Sequence, residues 1–326
     1  MTLDVSDLRI RIRNVELVRG VSFSIAAGET LGLIGESGSG KTLTALALMG
    51  LLPEGAQVSG SIRFKGQELL SLDEKAWCAL RGRRIAMVFQ EPMTALNPLH
   101  RVGEQVAEPR RLHLGRKPKE AAVEALELLK YLGLADTARI AASYPHQLSG
   151  GQRQRVGIAM ALACGPELLI ADEPSTALDA SQQGHVLASL AVMAAERRMG
   201  LLLISHDLAL VARQAQQLLV MYAGQVVEQG SSMALLGRSG RPAHPYTQGL
   251  LAARPQLGLG RGERLAALPG SAPEMARLPE RGGGCAFRER CRLAHEAICR
   301  QDPTPVALTD GHWARCLRIE EALRGD

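Results

Sequence analysis

Eight residues, GESGSGKT from Gly35 to Thr42, place glycines, small hydroxyls and a lysine in the order G-x-x-x-x-G-K-[ST]. Such a run has a physical use. Gly35, Gly38 and Gly40 let the backbone curl without Cβ clashes, so that amides around Glu36, Ser37 and Ser39 point at one anion. Lys41 then adds a positive charge for the β and γ phosphates, and the Thr42 hydroxyl a ligand for Mg²⁺. The chemistry implied is binding of a triphosphate with Mg²⁺; the bland alternative is a glycine-rich turn that caps a helix. A second candidate set closes the apolar run LLIADE, where Asp172 and Glu173 are adjacent. Asp172 would orient Mg²⁺, and Glu173 would act as general base on an attacking water. Two neighbouring carboxylates in a loop are otherwise a common solvated surface. A third set is LSGGQRQR, with Ser149, Gly150, Gly151 and Gln152 at the mouth of a helix. It offers a hydroxyl, free amides and a helix dipole to an anion. A second anion site in a chain that already has a phosphate loop points to a nucleotide shared between two subunits.

These residues need a frame. TLGLI before the phosphate loop reads as a strand and KTLTALALMGLL after it as a helix, ended by Pro53 and Gly55. LRIRI, VSFSI, SGSIRF and RRIAMVFQ predict further strands. From about 93 to 160 the pattern is helical, clearest in PKEAAVEALELLKYLGL. ELLIAD, a helix over roughly 180 to 199, GLLLIS, a short helix, QLLVMY and QVVEQG then alternate again. Apolar strands alternating with helices imply a mostly parallel sheet covered on both faces, with the helical block as an insertion. Beyond about 236 the chain turns Gly-, Pro- and Arg-rich, which reads as a linker or a loosely built appendage.

The totals exclude several classes. At 326 residues the chain has room for one large or two modest domains with cores of their own. Only 3% of residues are aromatic, which argues against a stacking platform for single-stranded nucleic acid. The net charge of +5 is mostly solvated surface. MTLDVSDLRIRIRN does not read as a signal peptide, and apolar stretches such as LASLAVMAA are too short to span a bilayer, so membrane contact is expected through a partner. Four of six cysteines, Cys285, Cys291, Cys299 and Cys316, crowd into the last 42 residues as C-x5-C-x7-C-x16-C. In a reduced compartment this favours metal or cluster ligation over disulfides, with chance clustering of thiols and a zinc site also open. His295 and His312 lie close enough in sequence to be alternative ligands, and Cys78 and Cys164 are expected as plain buried thiols.

Taken in order, GESGSGKT, Gln90 in VFQEP, LSGGQ, LLIADEP, STALD and His206 in ISHD resemble the nucleotide-binding subunit of an ABC transporter, over residues 1 to about 232. The resemblance implies an α/β fold: a P-loop (RecA-like) ABC ATPase core with an α-helical subdomain and a small cysteine-containing C-terminal appendage. The ATPase domain would span 1–235, its helical subdomain about 93–160, and the extension 236–326. By the same resemblance Gln90 senses Mg²⁺ and the attacking water, His206 contacts the γ-phosphate and steadies Glu173, LSGGQ closes over the partner's nucleotide, and Asp179 lies at the dimer seam. The aromatic ring that usually stacks on adenine is missing from RIRIRNVELVRG, so Ile12 or Val18 is expected to pack against the base instead.

EPMTALNPLHRVGEQVAE and AHPYTQGLLAARP resemble subunits that energise oligopeptide, dipeptide and nickel importers, with TALNP for TSLNP and PSTALD for PTTALD as small departures. Peptide import is implied, with nickel or a metal chelate as the alternative cargo. The implied partners are a homologous second ATPase subunit, two integral-membrane permeases and an external solute-binding protein, with no nucleic acid, at the cytoplasmic face of the inner membrane. A soluble ABC ATPase acting on nucleic acid or ribosomes would predict fused cassettes or long coiled-coil insertions. A small-molecule P-loop kinase would lack LSGGQ. The tail resembles the G-C-x-F-x-x-R-C ending of the peptide-importer group, which implies a four-iron four-sulfur cluster on Cys285, Cys291, Cys299 and Cys316. Arg288, Arg290 and Arg292 would offset its negative charge.

Overall fold

The computed structural model describes residues 1–90, 96–175, 180–237, 240–253, 267–277, 283–309 and 311–324. In chain order the strands are β1 (Leu3–Ile12), β2 (Val15–Ile25), β3 (Thr30–Ile34), β4 (Gln57–Phe64), β5 (Gln67–Glu68), β6 (Ile85–Val88), β7 (Leu168–Asp172), β8 (Gly200–Ser205), β9 (Gln217–Tyr222), β10 (Gln225–Ser231), β11 (Val306–Thr309) and β12 (His312–Ala314). The helices are α1 (Lys41–Leu48), α2 (Glu74–Leu80), α3 (Val102–Leu114), α4 (Pro118–Tyr131), α5 (Thr137–Ala142), α6 (Gly150–Leu162), α7 (Ala180–Glu196), α8 (Leu208–Ala212), α9 (Ser232–Leu236), α10 (Pro245–Ala252), α11 (Glu296–Cys299) and α12 (Ile319–Arg324).

The main sheet, among the described residues, has the order β11-β12-β10-β9-β3-β8-β7-β6. Its neighbours from β9 to β6 pair in parallel. TLGLI in β3 and GLLLIS in β8 are buried throughout, as strands covered on both faces must be. Their side chains divide by parity: Leu202 and Ile204 join one core with Leu31, Leu33 and Ile170, while Leu201 and Leu203 join the other with Ile34 and Leu169.

The early strands do not belong to that sheet. β2-β1-β4-β5 form a separate antiparallel sheet. β1 alternates buried with exposed positions along much of its length, the mark of a sheet with one face on a core and the other in water. The helical block between β6 and β7 is α3 to α6, and its buried Val102, Leu128 and Val156 are continuous with the second core.

The chain beyond residue 236 is less loose than its composition implies. α10 starts at Pro245, whose missing N–H costs nothing in a first turn, and His244 Nδ1 caps it by accepting from Tyr246 N at 3.1 Å. β12 pairs antiparallel with β10, so the tail adds strands to the main sheet rather than hanging from it. At that seam the fully buried Glu228 carboxylate accepts from Ala243 N at 2.6 Å, His244 N at 3.1 Å and His312 Nε2 at 3.0 Å. The two cysteines expected to be buried are not: Cys78 is exposed on α2 and Cys164 is partly exposed. Cys78 falls on the side of α2 that faces water, while Trp77 and Leu80 take the buried face.

Candidate nucleotide site

The phosphate loop follows β3, and the sheet explains why its first residue is glycine. A Cβ on Gly35 would stand 2.2 Å from the Met221 carbonyl oxygen of neighbouring β9. Gly40, at φ 100°, is the N-cap of α1 in a left-handed conformation that side chains disfavour. Lys41 folds back on its own loop, donating to the carbonyls of Gly35 at 2.8 Å and Glu36 at 2.9 Å. Burial lowers its pKa, against the pull of Glu173, Asp172 and Glu36. Such an ammonium gains from an anion that replaces those carbonyls.

Three further residues converge at the same edge. Glu173, just past β7, sits at φ 48°, a strained conformation for a residue with a side chain, with its N–H donating to Ile204 O at 2.9 Å. Its carboxylate is held from both sides. His206 Nδ1, just past β8, lies 3.0 Å from Oε1, and Gln90 Nε2, just past β6, donates to Oε2 at 3.3 Å. The parallel order β3-β8-β7-β6 therefore sets the phosphate loop, His206, Glu173 and Gln90 side by side at the carboxyl ends of adjacent strands, the edge where open α/β sheets bind ligands. Asp172, the last residue of β7, is buried. Desolvation pushes its carboxyl pKa up, while a hydrogen bond with Thr42 lowers it. A desolvated carboxylate beside a hydroxyl is an oxygen donor set of the kind Mg²⁺ takes, and bringing a cation there would relieve the buried charge.

The LSGGQ segment is built as a helix start. Ser149 Oγ accepts from Gln152 N at 3.3 Å and Gln152 Oε1 accepts from Ser149 N at 3.0 Å, a capping box at the start of α6. Gly150 and Gly151 form its first turn. Asp179 lies outside the described residues, as do Glu91 to Ala95 of the EPMTALNP run. Val18 is fully buried, which removes it as a surface for the base; Ile12 is partly exposed.

The four tail cysteines line one small cavity together with His244, Phe287, Arg288 and Arg318. Burial raises the thiol pKa of Cys285 to about 12 and of Cys316 to about 11, and that of Cys291 in the same direction. Among the described residues no three histidine, cysteine or carboxylate side chains gather as ligands of a single metal ion. The two candidate histidines are otherwise engaged: His295 Nδ1 accepts from Ile298 N at 3.4 Å, and His312 pairs with Glu228. Arg290 does not turn to the thiols either. Its guanidinium grips Glu36 of the phosphate loop at 2.6 and 2.9 Å. That contact, and the hydroxyl of Tyr246 accepting from Glu36 N at 2.8 Å, were beyond sequence reasoning. Tyr246 lies in the AHPYTQGLLAARP stretch, which marks a resemblance without saying what the ring touches.

The chain is similar to known proteins. Residues 18–176 match the ABC transporter family and residues 227–299 the oligopeptide/dipeptide transporter C-terminal region. A relative from Brucella melitensis is 44% identical, covering 98% of this chain and 97% of its own. The oligopeptide transport ATP-binding protein OppD of Salmonella typhimurium is 43% identical, covering 98% and 95%. Among solved structures, the dimeric post-hydrolysis state of the ATP-binding cassette MJ0796 bound to ADP and phosphate superposes with a TM-score of 0.64 at 26% identity, covering 71% of this chain and 98% of that one. A glycine loop, a clasped glutamate, family matches over residues 18–176 and 227–299 and near-full-length relatives lead to one conclusion: the chain belongs to the ABC transporter family of ATPases, in its oligopeptide/dipeptide branch.

Proposed function

We propose that this chain is the ATP-binding and ATP-hydrolysing subunit that powers import of peptides across the cytoplasmic membrane through partner permeases. The observation that carries the chemistry is Glu173, held between His206 and Gln90 at the strand edge that also bears the phosphate loop. Lys41 would exchange its two loop carbonyls for the β and γ phosphates. Thr42, Asp172 and Gln90 would hold Mg²⁺, which supplies charge neutralisation on the phosphates when bound. Glu173 takes a proton from the attacking water, and His206 keeps its carboxylate aimed. Gly35 to Gly40 cradle the phosphates through their amides, and the Ser149–Gln152 capping box would close over the nucleotide of a second ATPase subunit, with Asp179 at the seam. The dimeric MJ0796 cassette supports a paired arrangement.

Peptide as cargo rests on the names of relatives such as OppD. The ATPase domain is assigned to 1–235, with a helical subdomain over about 93–160, and the extension to 236–326. No described helix is long and apolar enough to cross a membrane, so attachment to the cytoplasmic face falls to the two permeases. A homologous second ATPase and an external solute-binding protein complete the assembly. The four sulfurs lining one cavity, with Arg288 and Arg318 beside them, fit a four-iron four-sulfur cluster in donor type and charge, although they do not form a closed coordination sphere as they stand. A bound cluster would hold as thiolates the groups that burial now keeps protonated.

Two measurements test these assignments. Glu173→Gln is expected to keep MgATP binding, trap the closed complex with the second ATPase and lower turnover by about 10²-fold or more; an unchanged ATPase rate would remove Glu173 as the base. Anaerobically purified protein is expected to contain iron and absorb broadly near ~400 nm through sulfur-to-iron charge transfer. Iron-free protein holding zinc would overturn the cluster.

A further inference from the structure

The cysteine-bearing tail and the phosphate loop are joined by a contact that ATP chemistry does not by itself require. Arg290 has a side chain only 7% exposed. Its Nη1 and Nη2 donate to Glu36 Oε2 and Oε1 at 2.6 and 2.9 Å, a bidentate pair. Its Nε donates to Pro269 O at 2.7 Å, and Nη1 also reaches the Tyr222 hydroxyl at 3.3 Å. The guanidinium stands 5.8 Å from the ring centroids of both Tyr222 and Phe287. Those rings meet edge-on at 5.2 Å, and Tyr246 packs 4.6 Å from Tyr222. This aromatic box fixes the arginine in place, and Tyr246 delivers its hydroxyl to Glu36 N at 2.8 Å. The second residue of the phosphate loop is thus held by its side chain and by its amide, both from the far end of the chain.

A carboxylate is a poor choice for that position on electrostatic grounds. The loop collects a polyanion, and a bare Glu36 would oppose it and compete for Lys41, which already feels its charge. Two donors on one rigid fork offset the charge and engage both oxygens. We propose that Arg290 and Tyr246 are positioning residues for nucleotide binding: Arg290 neutralises and holds Glu36, and Tyr246 fixes its amide, so that the tail holds the phosphate loop in its ATP-accepting form. This rests on the nucleotide-binding reading above.

Titration calorimetry of MgATP on the full chain separates this role from a mere brace. Arg290→Met is expected to weaken binding about tenfold, and less at ~0.5 M salt, where charge is screened. Adding Glu36→Gln to that variant is expected to restore affinity to within about threefold of wild type, because the charge that Arg290 cancels is then gone. A brace would give the opposite: the double variant, with both partners of the pair lost, would bind no better than the single one, and that result overturns the proposal. Should Arg290→Met fail to fold, Glu36→Gln and Tyr246→Phe decide. Glu36→Gln alone is expected to bind at least as tightly as wild type and Tyr246→Phe about threefold more weakly; weaker binding by Glu36→Gln overturns the proposal. Lys41→Ala is the control. If wild type binds MgATP and Lys41→Ala does not, but Arg290→Met matches wild type, only this inference fails; if wild type does not bind at all, the nucleotide reading fails with it.

Discussion

Asp172 shows how a single side chain can be wrong for the fold and suited to the reaction proposed above. Burial raises its carboxyl pKa, so the ionised form costs stability in the nucleotide-free chain at neutral pH, and that cost is relieved as pH falls through the folded value. Asp172→Asn keeps the shape and removes the charge. The variant is expected to melt about 2 °C higher without nucleotide and to lose Mg²⁺-dependent ATP hydrolysis; a lower melting temperature measured by calorimetry would show that Asp172 stabilises the empty site. The phosphate-loop residues were legible because their chemistry is local: glycine, lysine and hydroxyl must sit within eight positions. Glu173 was readable as a carboxylate closing an apolar strand, whereas Gln90 and His206 carry no such local signature and were placed only through resemblance, since 83 and 33 residues separate them from Glu173. Arg290 and Tyr246, 254 and 210 positions from Glu36, left no signal that spacing or periodicity could expose.

Strand chemistry sorts the elements. Continuous apolar runs such as GLLLIS mark the parallel sheet, and they were readable because burial on both faces leaves no room for polar side chains. The antiparallel sheet of β1, β2, β4 and β5 was not separable from it by sequence, since short apolar pieces look alike until pairing partners are known. The tail was misread for a related reason: Gly, Pro and Arg dominate it, yet a few buried polar contacts tie it down. Glu228 does so for three elements at once, accepting from the residues that open α10 and from His312 of β12 while lying in β10. Glu228→Ala strands those donors in a dry seam and is expected to cost about 3 kcal/mol, measured by urea unfolding, with Glu228→Gln recovering part of it. An unfolding free energy within ~0.5 kcal/mol of wild type would show that the tail is held by its apolar contacts alone.

At the scale of the whole molecule, the chain is one part of an assembly, and its architecture sets out what each face is for. The carboxyl edge of the parallel strands carries the phosphate loop, Glu173, His206 and Gln90, and the helical block from α3 to α6 carries the capping box proposed above to close over a neighbour's nucleotide. The opposite flank of the sheet is completed by the tail, through β12 on β10. That last feature imposes an order in time. Arg290 lies 254 residues after Glu36, and at the ~5–20 residues per second of synthesis it leaves the ribosome on the order of 10 to 50 s later. Throughout that interval the nascent phosphate loop carries an uncompensated carboxylate, so a chain stopped short of residue 290 retains every nucleotide-contacting residue proposed here and still lacks the clamp that readies them. Only a chain that has grown past residue 290 holds both partners of the joint between the tail and the phosphate loop.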